Sequence, residues 1–453
     1  MTEGETNTKT IKYRAFSVRN FRRIPQIENL TEEDKRTIEV VGNVLPFKVN
    51  NYVIDELIDW DNYKNDPIFH LTFPQKGMLE PEDFHTMEQA LNTTDKRMEL
   101  REVANKIREK LNPHPAAQME MNMPELNGNV LPGIQHKYRE TVLFFPTAGQ
   151  TCHSYCSFCF RWPQFVGMDG LKFAMKETDL LIDYLEKHKE VTDILFTGGD
   201  PMIMGYRVFR QYIDPILENH HKTNLQTIRI GTKSLSFWPY KYTTDKDSDK
   251  FIDLFKEIVD SGLNLAFMAH FNHPVELSTK VVKEATKRIL STGAQIRTQS
   301  PLVRHINDCP DVWARMWREQ VNMGMIPYYM FVERDTGAKA HFELPLERTW
   351  DIFRKAYQQV SGICRTVRGP SMSATPGKIQ ILGVTEIHQD GKKEKVFALQ
   401  MLQGRDADWV ARPFFAKYDP NAYWLDDLEP AFGDKFFYDQ ELETMKSQAL
   451  ELS

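Results

Sequence analysis

The stretch TCHSYCSFCFRW, residues 151–162, decides how the rest of the chain is read. It sets Cys152, Cys156 and Cys159 in a CxxxCxxC spacing, just after a β-branched and aromatic run from Val142 to Pro146. With five cysteines in 453 residues, random placement would give this spacing only ~0.0006 times per chain. Three thiolates on one loop can each hold one iron of a cubane cluster and leave the fourth iron open to another ligand. Buried free cysteines, or a zinc site completed by His153, are the plainer alternatives.

Working outward, short apolar runs alternate with segments of helical period from Thr141 onward. The runs Val142 to Pro146, Asp193 to Thr197, Thr227 to Gly231, Leu265 to His270, Gln295 to Ser300 and Ile326 to Val332 read as strands. Asp249 to Ser261, Ser278 to Ser291, Asp311 to Asn322 and Leu346 to Val360 read as helices. The repeat has the size of a βα unit, roughly 30 to 40 residues, so six units make a parallel α/β barrel or part of one. In such barrels functional groups gather at the carboxyl ends of the strands. The cysteine loop, the turn Gly198-Gly199-Asp200 and the segment around His270, Asn272 and His273 should therefore meet at one mouth. Residues 1–130 read as a helical arm, with helices over Thr31 to Leu45 and Glu82 to Lys110; 131–385 is the barrel and 386–453 a C-terminal extension, either folded over the barrel or making a subunit contact.

Composition sets the surroundings. Apolar residues make up 41% and charged residues 26%, as in globular proteins. With 57 basic against 63 acidic side chains the net charge is −6, which offers no broad positive field for a nucleic-acid backbone. Met1 to Thr10 is polar, without the apolar core of a secretory signal, and no window approaches a membrane span. A cytoplasmic protein with neither nucleic-acid nor membrane partners is expected.

At the cysteines the chain resembles the radical S-adenosylmethionine (SAM) superfamily. The resemblance implies a [4Fe–4S] cluster on Cys152, Cys156 and Cys159, and a partial (β/α)6 TIM-like barrel. It also implies that Phe158 lies near the SAM adenine and that Gly198, Gly199 and Asp200 contact its amino group, with His270 lining the same site. The segments HKYRETVLFFPTAGQTCHSYCSFCFR, DILFTGGDP, IRIGTKS, HFNHP, TQSPLVRHINDC and PYYMFVERD occur in the order found in lysine 2,3-aminomutases. That family resemblance covers roughly Asn20 to Leu382 and adds pyridoxal phosphate (PLP) to the cofactors. It implies a 5′-deoxyadenosyl radical that takes hydrogen from the substrate β-carbon, while the amino group, held as a PLP aldimine, migrates from C2 to C3.

Carried over residue by residue, Lys378 is the Schiff-base lysine, and Lys137, Tyr138 and Gln299 hold the PLP phosphate. Thr141 stands where the family has a second phosphate-gripping arginine, and Arg139 is the neighbour placed to compensate. Arg161 matches the arginine that pairs with the substrate α-carboxylate. The two aspartates that hold a lysine ε-ammonium fall on Arg334 and Ser371. A reversed charge in a specificity pocket rejects an ammonium group and suits a carboxylate, so glutamate or another acidic amino acid is the preferred substrate. A one-residue slip would put Glu333 or Asp335 in the pocket and restore lysine. The alternatives are a true lysine 2,3-aminomutase, a PLP-independent radical SAM enzyme acting on another small molecule, or an iron–sulfur sensor. Cys309 and Cys364 align with family cysteines, but the family's C-terminal zinc cysteines are missing, so no structural zinc is expected. By family analogy the chain forms a homo-oligomer and takes electrons from a flavodoxin- or ferredoxin-type donor.

Overall fold

The computed structural model describes residues 11–115, 118–168, 170–171, 173–389 and 391–452. The polar amino-terminal decapeptide read above lies outside the described residues. The centre of the fold is an eleven-stranded sheet whose strands follow one another in space in chain order. Its strands are β1 (Ile134–Tyr138), β2 (Thr141–Phe144), β3 (Asp193–Phe196), β4 (Thr227–Thr232), β5 (Asn264–His270), β6 (Gln295–Leu302), β7 (Ile326–Val332), β8 (Arg368–Ser373), β9 (Gly377–Gln389), β10 (Lys392–Gly404) and β11 (Pro413–Lys417).

From β2 to β8 every neighbouring pair is parallel. The six expected strands are thus all present, and Arg368–Ser373 joins them as a seventh that a Gly-Pro pair had hidden in the sequence. Strand alternation decides which side chains face inward. In β4 Ile228 and Ile230 are fully buried, while the alternate residues Arg229 and Gly231 line the central cavity. In β6 Ile296, Thr298, Ser300 and Leu302 are buried, and Gln299 and Pro301 face the cavity.

The outer helices lie near their expected bounds, at Ser248–Asp260, Lys280–Leu290, Pro310–Asn322 and Leu346–Gln358. Thr279 starts one of them by accepting a hydrogen bond at Oγ1 from Val282 N, 3.3 Å. In the arm the long helix expected over Glu82 to Lys110 is two helices, Pro81–Thr93 and Arg97–Lys110. The break falls in the run Thr93-Thr94-Asp95, whose short polar side chains compete with the helical backbone. The arm is not helix alone, since Ala15–Ser17 pairs with Lys48–Asn50, and its apolar side chains join the core of the barrel.

The C-terminal extension continues the sheet. Strand β9 crosses the boundary drawn at residue 385 and forms a long antiparallel hairpin with β10, which also packs beside β1. The curved sheet is therefore brought round so that its late strands meet its first. No helix among the described residues is long and apolar enough to cross a membrane.

Candidate active site

The barrel mouth encloses a cavity of about 330 Å³ that reaches from the cysteine loop across β3–β7 to the start of β9. Cys152, Cys156 and Cys159 all line it, half-buried, and burial pushes each thiol up, Cys159 to about 11. Among the described residues no three His, Cys, Asp or Glu side chains are grouped tightly enough to hold a single metal ion. Three thiols on one loop suit a multi-iron cluster, which takes one thiolate per iron.

The loop is held largely by the amino-terminal arm. Lys48 Nζ donates to Cys152 O at 2.7 Å, and the Asn50 backbone N–H donates to Ser154 Oγ at 3.1 Å. Asn50 Nδ2 donates to His153 O and to Phe237 O. Tyr13 Oη donates to His153 O, Tyr155 N to Lys48 O, and Ser157 N to Leu71 O. Reading residues 1–130 as a cap missed this role, because single Lys, Asn and Tyr residues in an arm carry no pattern.

The Gly198-Gly199-Asp200 turn abuts the start of the loop, Asp200 N donating to Thr151 O at 2.8 Å. A Cβ on Gly199 would sit 2.5 Å from Thr151 N, so only glycine lets the end of β3 press this close to the cysteine loop. Asp200 is buried and its carboxylate is already engaged, accepting from Thr232 Oγ1, Lys233 N and Met202 N at 2.7–2.9 Å. It ties the ends of β3 and β4 together. His270 lines the cavity 6.1 Å from the Phe158 ring, with Nε2 buried and unpartnered; burial holds its imidazole neutral, well below its ordinary range.

Basic side chains also line the cavity. Lys378 Nζ stands 4.1 Å from the centre of the Tyr329 ring, with Phe331 and Tyr138 at 5.5 and 5.9 Å. Burial in this aromatic cage lowers it to about 7, helped by Arg229 and Arg368 and opposed by Tyr328. Arg161, 8% exposed, lies over Phe145 and Phe160 at 4.5 and 5.0 Å and is lowered to about 10 by burial. Arg334 sits between Phe160 and Trp424, at 5.6 and 5.5 Å, and its Nε and Nη2 are buried with no hydrogen-bond partner. Asp335 Oδ1 is 3.5 Å from Nε but misdirected for a bond.

Glu333 lines the same cavity, 6% exposed, with its carboxyl pushed well above the ordinary range by burial. Ser371 is fully buried outside the cavity lining, its hydroxyl 3.4 Å from Met330 O. Lys137 and Tyr138 stand behind Lys378 rather than on the cavity surface; Lys137 donates to Ala374 O and is depressed by burial and by Arg405, Arg334 and Lys378. Arg139 does not compensate for Thr141, since it is exposed and turned to Glu140, 3.8 Å away. The added cation is Arg405, after β10, which donates to Thr375 O, Met121 O and Asn122 Oδ1. The antiparallel hairpin brings it there, and nothing local in the sequence marks it.

A parallel barrel with three thiols on the loop after its first parallel strand, beside a Gly-Gly turn at one mouth, has the architecture of a radical SAM enzyme. No family model matches the chain. A protein of Aquifex aeolicus, named as a candidate L-lysine 2,3-aminomutase, is 30% identical over 402 residues, 88% of this chain and 92% of that one. The L-lysine 2,3-aminomutase of Clostridium subterminale is 27% identical over 249 residues, 55% and 56% of the two chains. A radical SAM methyltransferase from Sphaerobacter thermophilus superposes with a TM-score of 0.37 at 18% identity, covering 52% of this chain and 68% of that one. The chain belongs to the lysine 2,3-aminomutase family, radical SAM isomerases that carry a [4Fe–4S] cluster and SAM.

Proposed function

We propose that this enzyme moves the α-amino group of an acidic amino acid, glutamate being the preferred substrate, from C2 to C3 with the help of PLP. The observation that carries the reading is Arg334, whose buried Nε and Nη2 make no hydrogen bond among the described residues, its ion-pair neighbour Asp335 standing at 3.5 Å, in a cavity that also holds Arg161. An unsatisfied buried donor costs about 1–3 kcal/mol, which a substrate carboxylate would relieve. Arg161, at the cysteine side, suits the α-carboxylate, and Arg334, at the side of the C-terminal extension, suits the distal one.

When bound, the cluster and SAM supply a 5′-deoxyadenosyl radical, and PLP supplies the electron delocalisation that lets an amino group migrate. The residues at hand fit these groups. Cys152, Cys156 and Cys159 would hold the cluster, and Phe158, Gly198, Gly199 and His270 would frame SAM. Lys378 offers an amine that loses its proton near neutrality, as a covalent anchor for an aldehyde requires. Lys137 is repelled by Arg405, Arg334 and Lys378, and among the described residues no carboxylate is bonded to Lys137, Lys378 or Arg405, a setting that favours a phosphate dianion. Gln299 faces the cavity from β6 as a neutral partner. The aromatic rings around both arginines exclude water from the migrating group.

A second reading, lysine as substrate, is favoured by Glu333, a buried carboxyl in the same cavity that an ε-ammonium could meet. The test is an anaerobic incubation of the reconstituted enzyme with SAM, PLP, reductant and a pool of deuterated amino acids. Deuterium in 5′-deoxyadenosine together with deuterated β-glutamate is the expected result, and β-lysine would overturn the Arg334 argument. SAM cleavage without deuterium transfer from any amino acid would favour a PLP-independent reaction.

A further inference from the structure

The C-terminal extension reaches the end of the cavity that holds Arg334. Its residues Phe414, Ala422, Trp424 and Leu425 belong to a second apolar core that includes Val332, the last residue of β7 and two positions before Arg334. Backbone bonds pin the contact. Leu346 N donates to Ala422 O at 2.8 Å, and Asp427 Oδ2 accepts from Tyr423 N at 2.9 Å and from Trp424 N at 3.0 Å. Trp424 is buried, so its ring is held in one place by the packing around it.

Rings and cations alternate along this side of the site. Arg161 lies over Phe145 and Phe160 at 4.5 and 5.0 Å, and Arg334 lies over Phe160 and Trp424 at 5.6 and 5.5 Å. A guanidinium is planar, and rings that meet its faces leave the N–H groups along its edge for a carboxylate. That is the state of Arg334, whose Nε and Nη2 are buried without a hydrogen bond among the described residues.

The nearby carboxylates do not supply the missing bonds. Asp335 Oδ1 stands 3.5 Å from Nε, while Asn112 Nδ2 donates to Asp335 O at 2.7 Å and to its Oδ2 at 3.3 Å. Asp426, two positions after Trp424, interacts with Arg334 and Asp335, and burial, Asp335 and Asp427 hold its carboxyl above the ordinary range. Glu333 is buried in the same cavity and likewise raised by burial. An ion pair without hydrogen-bond geometry neutralises a charge but does not fix the plane of the fork, whereas two rings do.

We propose that Trp424 is a positioning residue for substrate selection, clamping the Arg334 fork against Phe160 so that its free edge meets the distal carboxylate of the substrate. The C-terminal extension thereby sets the preference for an acidic side chain. The inference rests on the acidic-substrate reading of the site.

The test uses the full chain loaded with cluster and PLP, and the variants Trp424→Leu, Trp424→Phe and Asp426→Asn. Dissociation constants are measured by calorimetry without SAM, so that nothing turns over, for glutamate and for norvaline, in which a methyl group replaces the distal carboxylate. Expected for Trp424→Leu are a weakening of glutamate by about tenfold and no change for norvaline, with the KM for glutamate rising in step and kcat unaltered. Trp424→Phe, which keeps a ring, should recover most of the loss, and Asp426→Asn, which removes a charge and no ring, should not weaken glutamate. Unchanged glutamate binding in Trp424→Leu, an equal weakening of both ligands, or a loss that Trp424→Phe does not recover overturns the inference. So does a tenfold weakening in Asp426→Asn, which would assign the fork to its ion pair. If Trp424→Leu does not fold, Trp424→Met, an adaptable filler of the same space, is judged by the same outcomes. Formation of β-lysine and no β-glutamate by the unaltered enzyme would instead overturn the acidic-substrate reading, and this inference with it.

Discussion

Lys378 shows how a single position acquires chemistry from its surroundings. A lysine after glycine in a loop is ordinarily solvated, yet here it opens strand β9 and is enclosed by Tyr329, Phe331 and Tyr138. Burial lowers it to about 7. Lowering means that the neutral, nucleophilic amine dominates above that value and is lost as the pH falls below it. Borohydride trapping of PLP, located by peptide mass spectrometry, should therefore fall on Lys378 and rise with pH to a plateau just above neutrality, well before an ordinary lysine would react. Lys378→Ala should abolish the adduct and leave the cluster spectrum unchanged. Arg334 makes a second prediction at this scale. Arg334→Gln should lower kcat/KM for glutamate by about 10²-fold, ~3 kcal/mol, with little change for a substrate that lacks a distal carboxylate.

At the scale of elements, the loop between β2 and the following helix carries the three cysteines, and the arm scaffolds it. Asn50 is fully buried and bonds to Ser154, His153 and Phe237. Asn50→Ala should cost about 2–3 kcal/mol and reduce iron per chain after reconstitution, measured by metal analysis alongside thermal unfolding. The barrel elements were legible in the sequence because β-branched runs and helical periods are local signals. So was the cysteine loop, whose spacing is too rare to be accidental. The break at Thr94 in the arm was not, because a polar tripeptide inside a helical period weakens a helix without forbidding it. Strand β8 was hidden by Gly369-Pro370, and Arg405 by the long hairpin, Gly377 to Gly404, that carries it to Lys137. Long-range placement of this kind comes from sheet register, and register depends on partners the local sequence does not name.

Over the whole molecule, the sheet is brought round on itself where Arg405, Arg334 and Lys378 act on Lys137. Lys137 lies on β1, and Arg405 follows β10, which packs beside β1. An anion bound between them would tie the first and late strands together. PLP at a hundred times its dissociation constant should stabilise the fold by about 2.7 kcal/mol, seen as a rise in Tm, and pyridoxal without the phosphate should give clearly less. Arg405→Gln should remove most of that difference. The central claim, a migration reaction on an acidic amino acid selected by charge, is tested most directly by one competition. Equal deuterated glutamate and lysine are offered to the unaltered enzyme and to Arg334→Asp, and the deuterated β-amino acids are counted by mass spectrometry. The account predicts β-glutamate from the former and a shift toward β-lysine in the latter; β-lysine from the unaltered enzyme would contradict it.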